Sequence, residues 1–306
     1  MCCLFGILDY GEALSRKQMN RMVSILSVEC EARGTDATGI SFNYCDRLCV
    51  YKRPLPAHKM HFRIPSGVHY VMGHTRMTTQ GNERRNYNNH PFVGRVGNVD
   101  FALAHNGVLY NDDELQRTEK LPETKIETDS YVAVQLIEKY GKLDFNSLKY
   151  TAELLEGSFV LTVMDKDNNL YFVKGDNPMC IYHFKEIGVY VYASTEEILK
   201  TALYRFPYNL GRYEKVNVES GTILKIDNQG NQSKADFKFT YPMRYYAPYS
   251  LWDDFSYRKT TRDKEYVREL KSVATSFGVS AEDIDLLLAE GFTTDDIEDY
   301  LYCGQY

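Results

Sequence analysis

The chain has 306 residues, 43% of them hydrophobic and 25% charged, with a formal net charge of -6. That length can bury a full core, and the balance is that of an ordinary globular protein. The acidic charge argues against a nucleic-acid binder, because phosphate contacts need a basic face. No apolar run reaches the roughly 18 residues of a membrane helix.

The start, MCCLFGI, places a thiol at the second residue. Aminopeptidases remove Met1 when the next side chain is small, and cysteine is small. Removal would leave Cys2 with a thiol and a free α-amino group on one Cα, a nucleophile and a base together. The cysteines are Cys2, Cys3, Cys30, Cys45, Cys49, Cys180 and Cys303. They are odd in number and scattered, and no basic, apolar leader stands ahead of Cys2. The expectation is a reducing, cytoplasmic setting without a disulfide framework.

Further along, Ser15 to Arg33 spaces Met19, Met22, Val23, Leu26 and Val28 roughly as a helix, with Ser15 as N-cap. GISFNY and RLCVYKR read as strands around an Asp46-Arg47 turn. Cys45 and Cys49 flank that turn, but a zinc site needs two more ligands and none is near, so no metal is expected. HYVMGHTR and FALAHNG read as strands that end on polar residues. Thr128 to Tyr140 reads as a helix capped by Thr128, and Asn146 to Leu155 as a second one. SFVLTVMDKDNNLYFV is a hairpin turning at Asp167-Asn168-Asn169. VYVYAS is a strand, TEEILKTAL a helix, and GTILKIDNQGNQ a strand running into a turn.

Strands and helices thus come in blocks, which predicts two sheets covered by helices, an α+β layered fold. Near residue 240 the composition shifts: YPMRYYAPYSLWDDFSYRK is dense in Tyr and Arg and holds the only Trp. We expect a main domain over 1–238, a Tyr/Arg-rich linker or docking arm over 239–262, and a small acidic helical module over 263–306. Ser280 and Thr293 are N-cap candidates in that module. From Ser280 onward the chain has acidic residues and no Lys or Arg. Such a segment reads as a solvated helical cap or as a docking module for a basic partner surface.

Four polar clusters stand out: Arg33-Gly34-Thr35-Asp36, Gly73-His74-Thr75-Arg76, His105-Asn106-Gly107 and Glu127-Thr128-Asp129. Each alone is a weak signal. In order behind CCLFGI, and with NNHPF at 88–92 and LEGSFVLTVMD at 155–165, they form a set. This set resembles the class II glutamine amidotransferase domain, the N-terminal-nucleophile type found in glucosamine-6-phosphate synthase and amidophosphoribosyltransferase. The likeness covers Cys2 to about Asp227. It implies the four-layer αββα sandwich of N-terminal-nucleophile hydrolases, here followed by the small helical module.

The resemblance also implies roles. Cys2 would be the nucleophile, with its α-amino group as general base. Asn106 and the Gly107 N–H would form the oxyanion hole. Arg76 would hold the α-carboxylate of L-glutamine, with Thr79 as a second contact, and Asp129 its α-ammonium. Arg33 would brace the N-terminal residue. His74, His90 and His105 would pack loops rather than act as bases. Cys3 would be a nucleophile only if Cys2 were also removed. No cofactor is implied. Met77 replaces the aromatic that usually follows the strand arginine, which puts a conventional ammonia route in question. Tyr131 stands where a Glu often follows the Asp-Thr pair.

The segment after the domain carries no phosphate loop, no GxGxxG and no sugar-phosphate signature. The expected function is therefore a stand-alone glutaminase subunit that feeds ammonia to a separate synthase or ligase. The expected partners are L-glutamine and that acceptor, with no nucleic acid and no membrane, and a homo-oligomer is compatible with the sequence. Two other readings stay open: a hydrolase of γ-glutamyl amides or peptides, and a glutamine sensor acting through the helical module.

Overall fold

The computed structural model describes residues 2–240 and 279–289, together with Val267, Leu270, Lys271, Ala274, Phe292, Thr294 and Ile297. The chain divides into two compact units, Met1–Pro242 and Met243–Tyr306. Residues 241–262, most of the Tyr/Arg-rich arm, lie outside the described residues, as does Thr293.

The first unit opens with strand β1 (Cys3–Asp9) and helix α1 (Arg16–Glu29). Strands β2 (Ala37–Tyr44), β3 (Arg47–Arg53), β4 (Tyr70–Arg76), β5 (Phe92–Val96) and β6 (Val99–Leu109) follow. Then come helices α2 (Asp112–Thr118), α3 (Tyr131–Tyr140) and α4 (Phe145–Leu154). Strands β7 (Gly157–Met164), β8 (Leu170–Lys174), β9 (Cys180–Phe184) and β10 (Val189–Ala193) precede helix α5 (Glu196–Arg205). The unit closes with β11 (Glu214–Val216), β12 (Thr222–Ile226) and β13 (Gln232–Asp236).

These strands form two antiparallel sheets, β11-β9-β10-β1-β4-β2-β3 and β13-β12-β8-β7-β6-β5. Side-chain alternation builds the layers from the inside. On β1, Cys3, Phe5 and Ile7 pack outward with Met19, Met22 and Leu26 of α1 and Leu199 of α5. Leu4 and Leu8 point the other way, to a middle layer shared with Ala104, Val160 and Phe172 of the second sheet. The far face of that sheet is covered by Val132, Leu136 and Leu148 of α3 and α4. The order is helices, sheet, sheet, helices, the α+β four-layer sandwich that the sequence predicts. Strand β1 is buried along its whole length, so it reads as an apolar run rather than an alternation. Gly6 on its inner face leaves the space that the Tyr192 ring fills; a Cβ there would stand 2.5 Å from the ring.

Local signals hold in most places. Ser15 caps α1 in a reciprocal box with Gln18. The β2–β3 turn places Cys45 and Asp46 at φ 50° and 56°, a tight hairpin geometry. Two expectations need correction. Thr128 does not cap the following helix: α3 begins at Tyr131, and the buried Thr128 hydroxyl has no hydrogen-bond partner. Nor does the FALAHNG strand end at His105-Asn106-Gly107. Those residues pair with Leu161, Val160 and Phe159, and β6 continues to Leu109. A Gly in a strand looks like a terminus, but here it allows close approach to the neighbouring strand.

In the second unit Leu270, Ala274, Ile284 and Ile297 form a small core. The helix Ala281–Ala289 is capped by Ser280, whose hydroxyl accepts from the Asp283 N–H at 3.1 Å. Among the described residues no helix is long and apolar enough to cross a membrane.

Candidate active site

Cys2 precedes β1, and the alternation that sends Leu4 to the middle layer carries Cys2 to the same side. Its thiol is nearly buried and donates to the Met77 carbonyl at 3.5 Å. Burial pushes the Cys2 thiol up; the nearby Arg76 guanidinium pulls it down and the Asp129 carboxylate raises it. Those opposing influences place Cys2, Arg76 and Asp129 within electrostatic reach of one another. Cys3, one residue on, faces the other way and meets Cys30 at 2.9 Å between sulfurs, both fully buried.

Arg33 is fully buried and donates through Nε to the Cys2 carbonyl at 3.0 Å. Its position follows from Gly34, where a Cβ would stand 2.5 Å from the Arg76 backbone. Asp36 completes that corner: its N–H donates to the Arg76 carbonyl at 2.9 Å, and its carboxylate accepts from the Thr78 N–H at 2.7 Å.

Arg76 ends β4, beside Cys2, because β4 pairs with β1 in the register Cys3–Thr75. It is almost fully buried and donates to Asn89 Oδ1 at 2.7 Å and to the Gln80 carbonyl at 2.5 Å. A guanidinium has five N–H donors, so the fork keeps donors beyond these two contacts. Thr79 lies half-buried in the loop that follows. Asp129 is buried where the chain enters α3; Oδ2 accepts from the Leu109 N–H at 2.7 Å and Oδ1 from the Ser130 hydroxyl at 3.2 Å.

The second sheet brings Asn106. Ser194 joins it to β1: its hydroxyl oxygen accepts from the Leu4 N–H at 2.9 Å and from Asn106 Nδ2 at 3.4 Å. Asn177 Nδ2 donates to the Asn106 carbonyl at 3.2 Å and to the Ser158 hydroxyl at 2.8 Å, holding the backbone of Asn106 and Gly107. The three histidines lie close behind. His74 Nε2 meets the His105 carbonyl at 2.9 Å, and the His74 and His90 rings lie 4.2 Å apart. Burial pulls all three below the usual imidazole range, His74 to about 3. They are neutral packing groups at neutral pH.

The fold therefore gathers Cys2, Arg33, Arg76, Asn106, Gly107 and Asp129 at one end of the two sheets, with Thr79 on the adjoining loop. Asp36, Asn89, Asn177 and Ser194 are supports that the sequence reading did not assign. Asp36 and Asn89 sat inside recognised motifs, but nothing in their spacing marked the contacts they make. Ser194 and Asn177 follow apolar strands and carry no local signal. Two surface recesses lie elsewhere, one of about 430 Å³ beside Gly221 and Phe237 and one of about 340 Å³ beside Phe206 and Tyr213.

A facing pair of antiparallel sheets between helices, with a cysteine ahead of the first strand, is the sandwich of N-terminal-nucleophile hydrolases. The B. subtilis glutamine phosphoribosylpyrophosphate amidotransferase, solved with ADP and GMP, superposes with a TM-score of 0.61 at 20% identity, covering 78% of this chain and 50% of that one. The profile of the glutamine amidotransferase domain matches residues 74–201. The glutamine–fructose-6-phosphate aminotransferase (isomerizing) of Sulfurisphaera tokodaii is 34% identical over 190 residues, 59% of this chain and 31% of the relative. The Staphylococcus aureus enzyme of the same name is 27% identical over 252 residues, 77% of this chain and 39% of the relative. The matched part of the chain spans 31% and 39% of the length of these two curated relatives. Residues 74–201 thus match the glutamine amidotransferase domain, and the chain is similar to these glutamine-dependent enzymes over the shares given.

Proposed function

We propose that this chain hydrolyses L-glutamine to glutamate and ammonia with Cys2 as nucleophile, and hands the ammonia to an acceptor enzyme in trans. The observation that carries the reading is the β1–β4 register that sets Arg76 beside Cys2, with the buried Asp129 carboxylate, held by the Leu109 N–H and the Ser130 hydroxyl, close enough to influence both. Their charges match a free amino acid: a planar fork for the α-carboxylate and a carboxylate for the α-ammonium.

In this mechanism Met1 is removed and the Cys2 α-amine, with an ordinary pKa near 8, takes the thiol proton. The thiolate adds to the glutamine Cδ. The developing oxyanion is met by a hydrogen of Asn106 Nδ2 and by the Gly107 N–H. The amine returns its proton to the leaving nitrogen, the C–N bond breaks, and ammonia departs from a γ-glutamyl thioester. Water, deprotonated by the same amine, attacks the thioester and releases glutamate and the thiol. Arg33 holds the Cys2 carbonyl and so aims the amine and thiol together. The names of the curated relatives supply the precedent of glutamine as nitrogen donor.

The test is intact mass after incubation with 6-diazo-5-oxo-L-norleucine, followed by peptide mapping. The expected product lacks Met1 and carries one adduct on Cys2. Cys2→Ala takes no label and loses glutaminase turnover by at least ~10³-fold, whereas Cys3→Ala keeps both. A retained Met1, or a label on Cys3, overturns the mechanism. Addition of a purified acceptor should raise ammonia incorporation over free ammonia release if transfer in trans holds.

A further inference from the structure

We propose that Lys52, on β3, is a positioning residue for the glutamine α-carboxylate: it fixes the turn whose Asn89 side chain orients Arg76. The inference rests on the role of Arg76 proposed above. Lys52 lies on the edge strand, with β4 and β2 between it and β1, and no motif marks it. Its ammonium donates to the Asn89 carbonyl and, at 3.0 Å, to the Pro91 carbonyl. The ammonium lies over the Phe92 ring, 5.1 Å from its centroid. The backbone closes the loop from the other side, since Asn86 Nδ2 donates to the Lys52 carbonyl at 2.9 Å. Gly39, opposite Lys52, leaves room for this turn; a Cβ there would stand 2.2 Å from the His90 carbonyl oxygen.

The chain of contacts is short and directional. Lys52 holds the Asn89 backbone. Asn89, fully buried, donates to the Glu83 carbonyl at 2.8 Å and accepts from Arg76 Nη1 at 2.7 Å. The Arg76 fork is thereby held through Nη1 by Asn89 and through Nη2 by the Gln80 carbonyl. A neutral donor would satisfy the two carbonyls. A cation does more, because it adds positive potential beside Arg76 where an anionic carboxylate is to be bound. Among the described residues, the charged and titratable groups facing Lys52 are Arg76, His74 and His90, and no ion pair to it is present. Burial, and then Arg76, pull the ammonium down to about 8, so it is charged at pH 7 and loses its proton in mild alkali.

Steady-state glutaminase kinetics on the full chain test this. Lys52→Met is expected to raise KM for L-glutamine about 10-fold with kcat within about twofold, since a hydrogen bond to a charged group is being removed. Asn89→Ala should do the same. The double variant should be no worse than Asn89→Ala alone, because both act through one contact. Unchanged KM in Lys52→Met, alongside a raised KM in Arg76→Lys, overturns the role of Lys52 and leaves that of Arg76 standing. Unchanged KM in both overturns the parent reading and this inference with it. A fall in kcat alone marks a merely structural side chain and also overturns it. If Lys52→Met does not fold, Lys52→Arg decides. Wild-type KM should rise from pH 7 to pH 9 more steeply than that of Lys52→Arg, which keeps its charge. Titration of the substrate amine is common to both, so identical profiles overturn the proposal.

Discussion

Gly107 lies at φ 141°, and a Cβ at that position would stand 1.8 Å from the Ser158 carbonyl oxygen. The strand can carry this residue past its neighbour only without a side chain. The close approach also fixes where the Gly107 N–H points, and the proposed oxyanion hole depends on that direction. Gly107→Ala must either shift β7 or twist β6. It should cost more than ~2 kcal/mol in urea unfolding and lower kcat more than it raises KM. An alanine variant as stable as the parent would mean that the strand has slack here. The residue was legible as part of an HNG tripeptide, but the reason for it was not, because the clash comes from a strand some fifty residues later.

Helix α1 shows what an element owes to its own sequence. Ser15 and Gln18 exchange hydrogen bonds at its start, and Met19, Met22, Val23 and Leu26 face the core. Ser15→Ala should lower stability by about 1 kcal/mol, read as a shift in the urea midpoint, with glutaminase kinetics unchanged. Such elements were readable because cap and period are local. Ile25, rather than the expected Val28, completes the buried face, a small rotation set by packing on β1. Helix α3 resisted the same reading. Its Thr128 sits at a good cap spacing, yet the chain there is engaged in placing Asp129 against Leu109, and the helix starts later. The site showed the same division. Cys2, Arg76, Asn106 and Asp129 were visible through ordered motifs. Lys52 and Ser194 were not, because each acts across strands that are distant in sequence.

At the scale of the whole molecule, the two sheets meet partly through neutral imidazoles. His74 reaches across from β4 to the His105 carbonyl of β6, and the His90 ring packs against His74 at a tilt of 34°. All three are pulled below the unfolded value of about 6.5 by burial. The unfolded chain therefore binds more protons than the folded one as pH falls below that value. Stability from this source is complete above pH 6.5 and declines through the acid range, down to about pH 3 for His74. Each histidine costs up to about 1.4 kcal/mol per pH unit over its window. The urea midpoint should fall clearly from pH 7.5 to pH 5, and a flat midpoint would mean that the imidazoles find charge partners when protonated. Acid should thus loosen the join between the sheets, the same join that carries Asn106 to Cys2.

The opposite facing of Cys2 and Cys3 has a consequence for how such a chain matures. Trimmed by one residue, it would present a thiol and an amine toward the proposed glutamine site. Trimmed by two, it would begin with the same two functional groups, chemically indistinguishable, yet aimed at the underside of α1. Nucleophile identity is then a matter of parity along a strand, and the accuracy of an aminopeptidase becomes part of the active site.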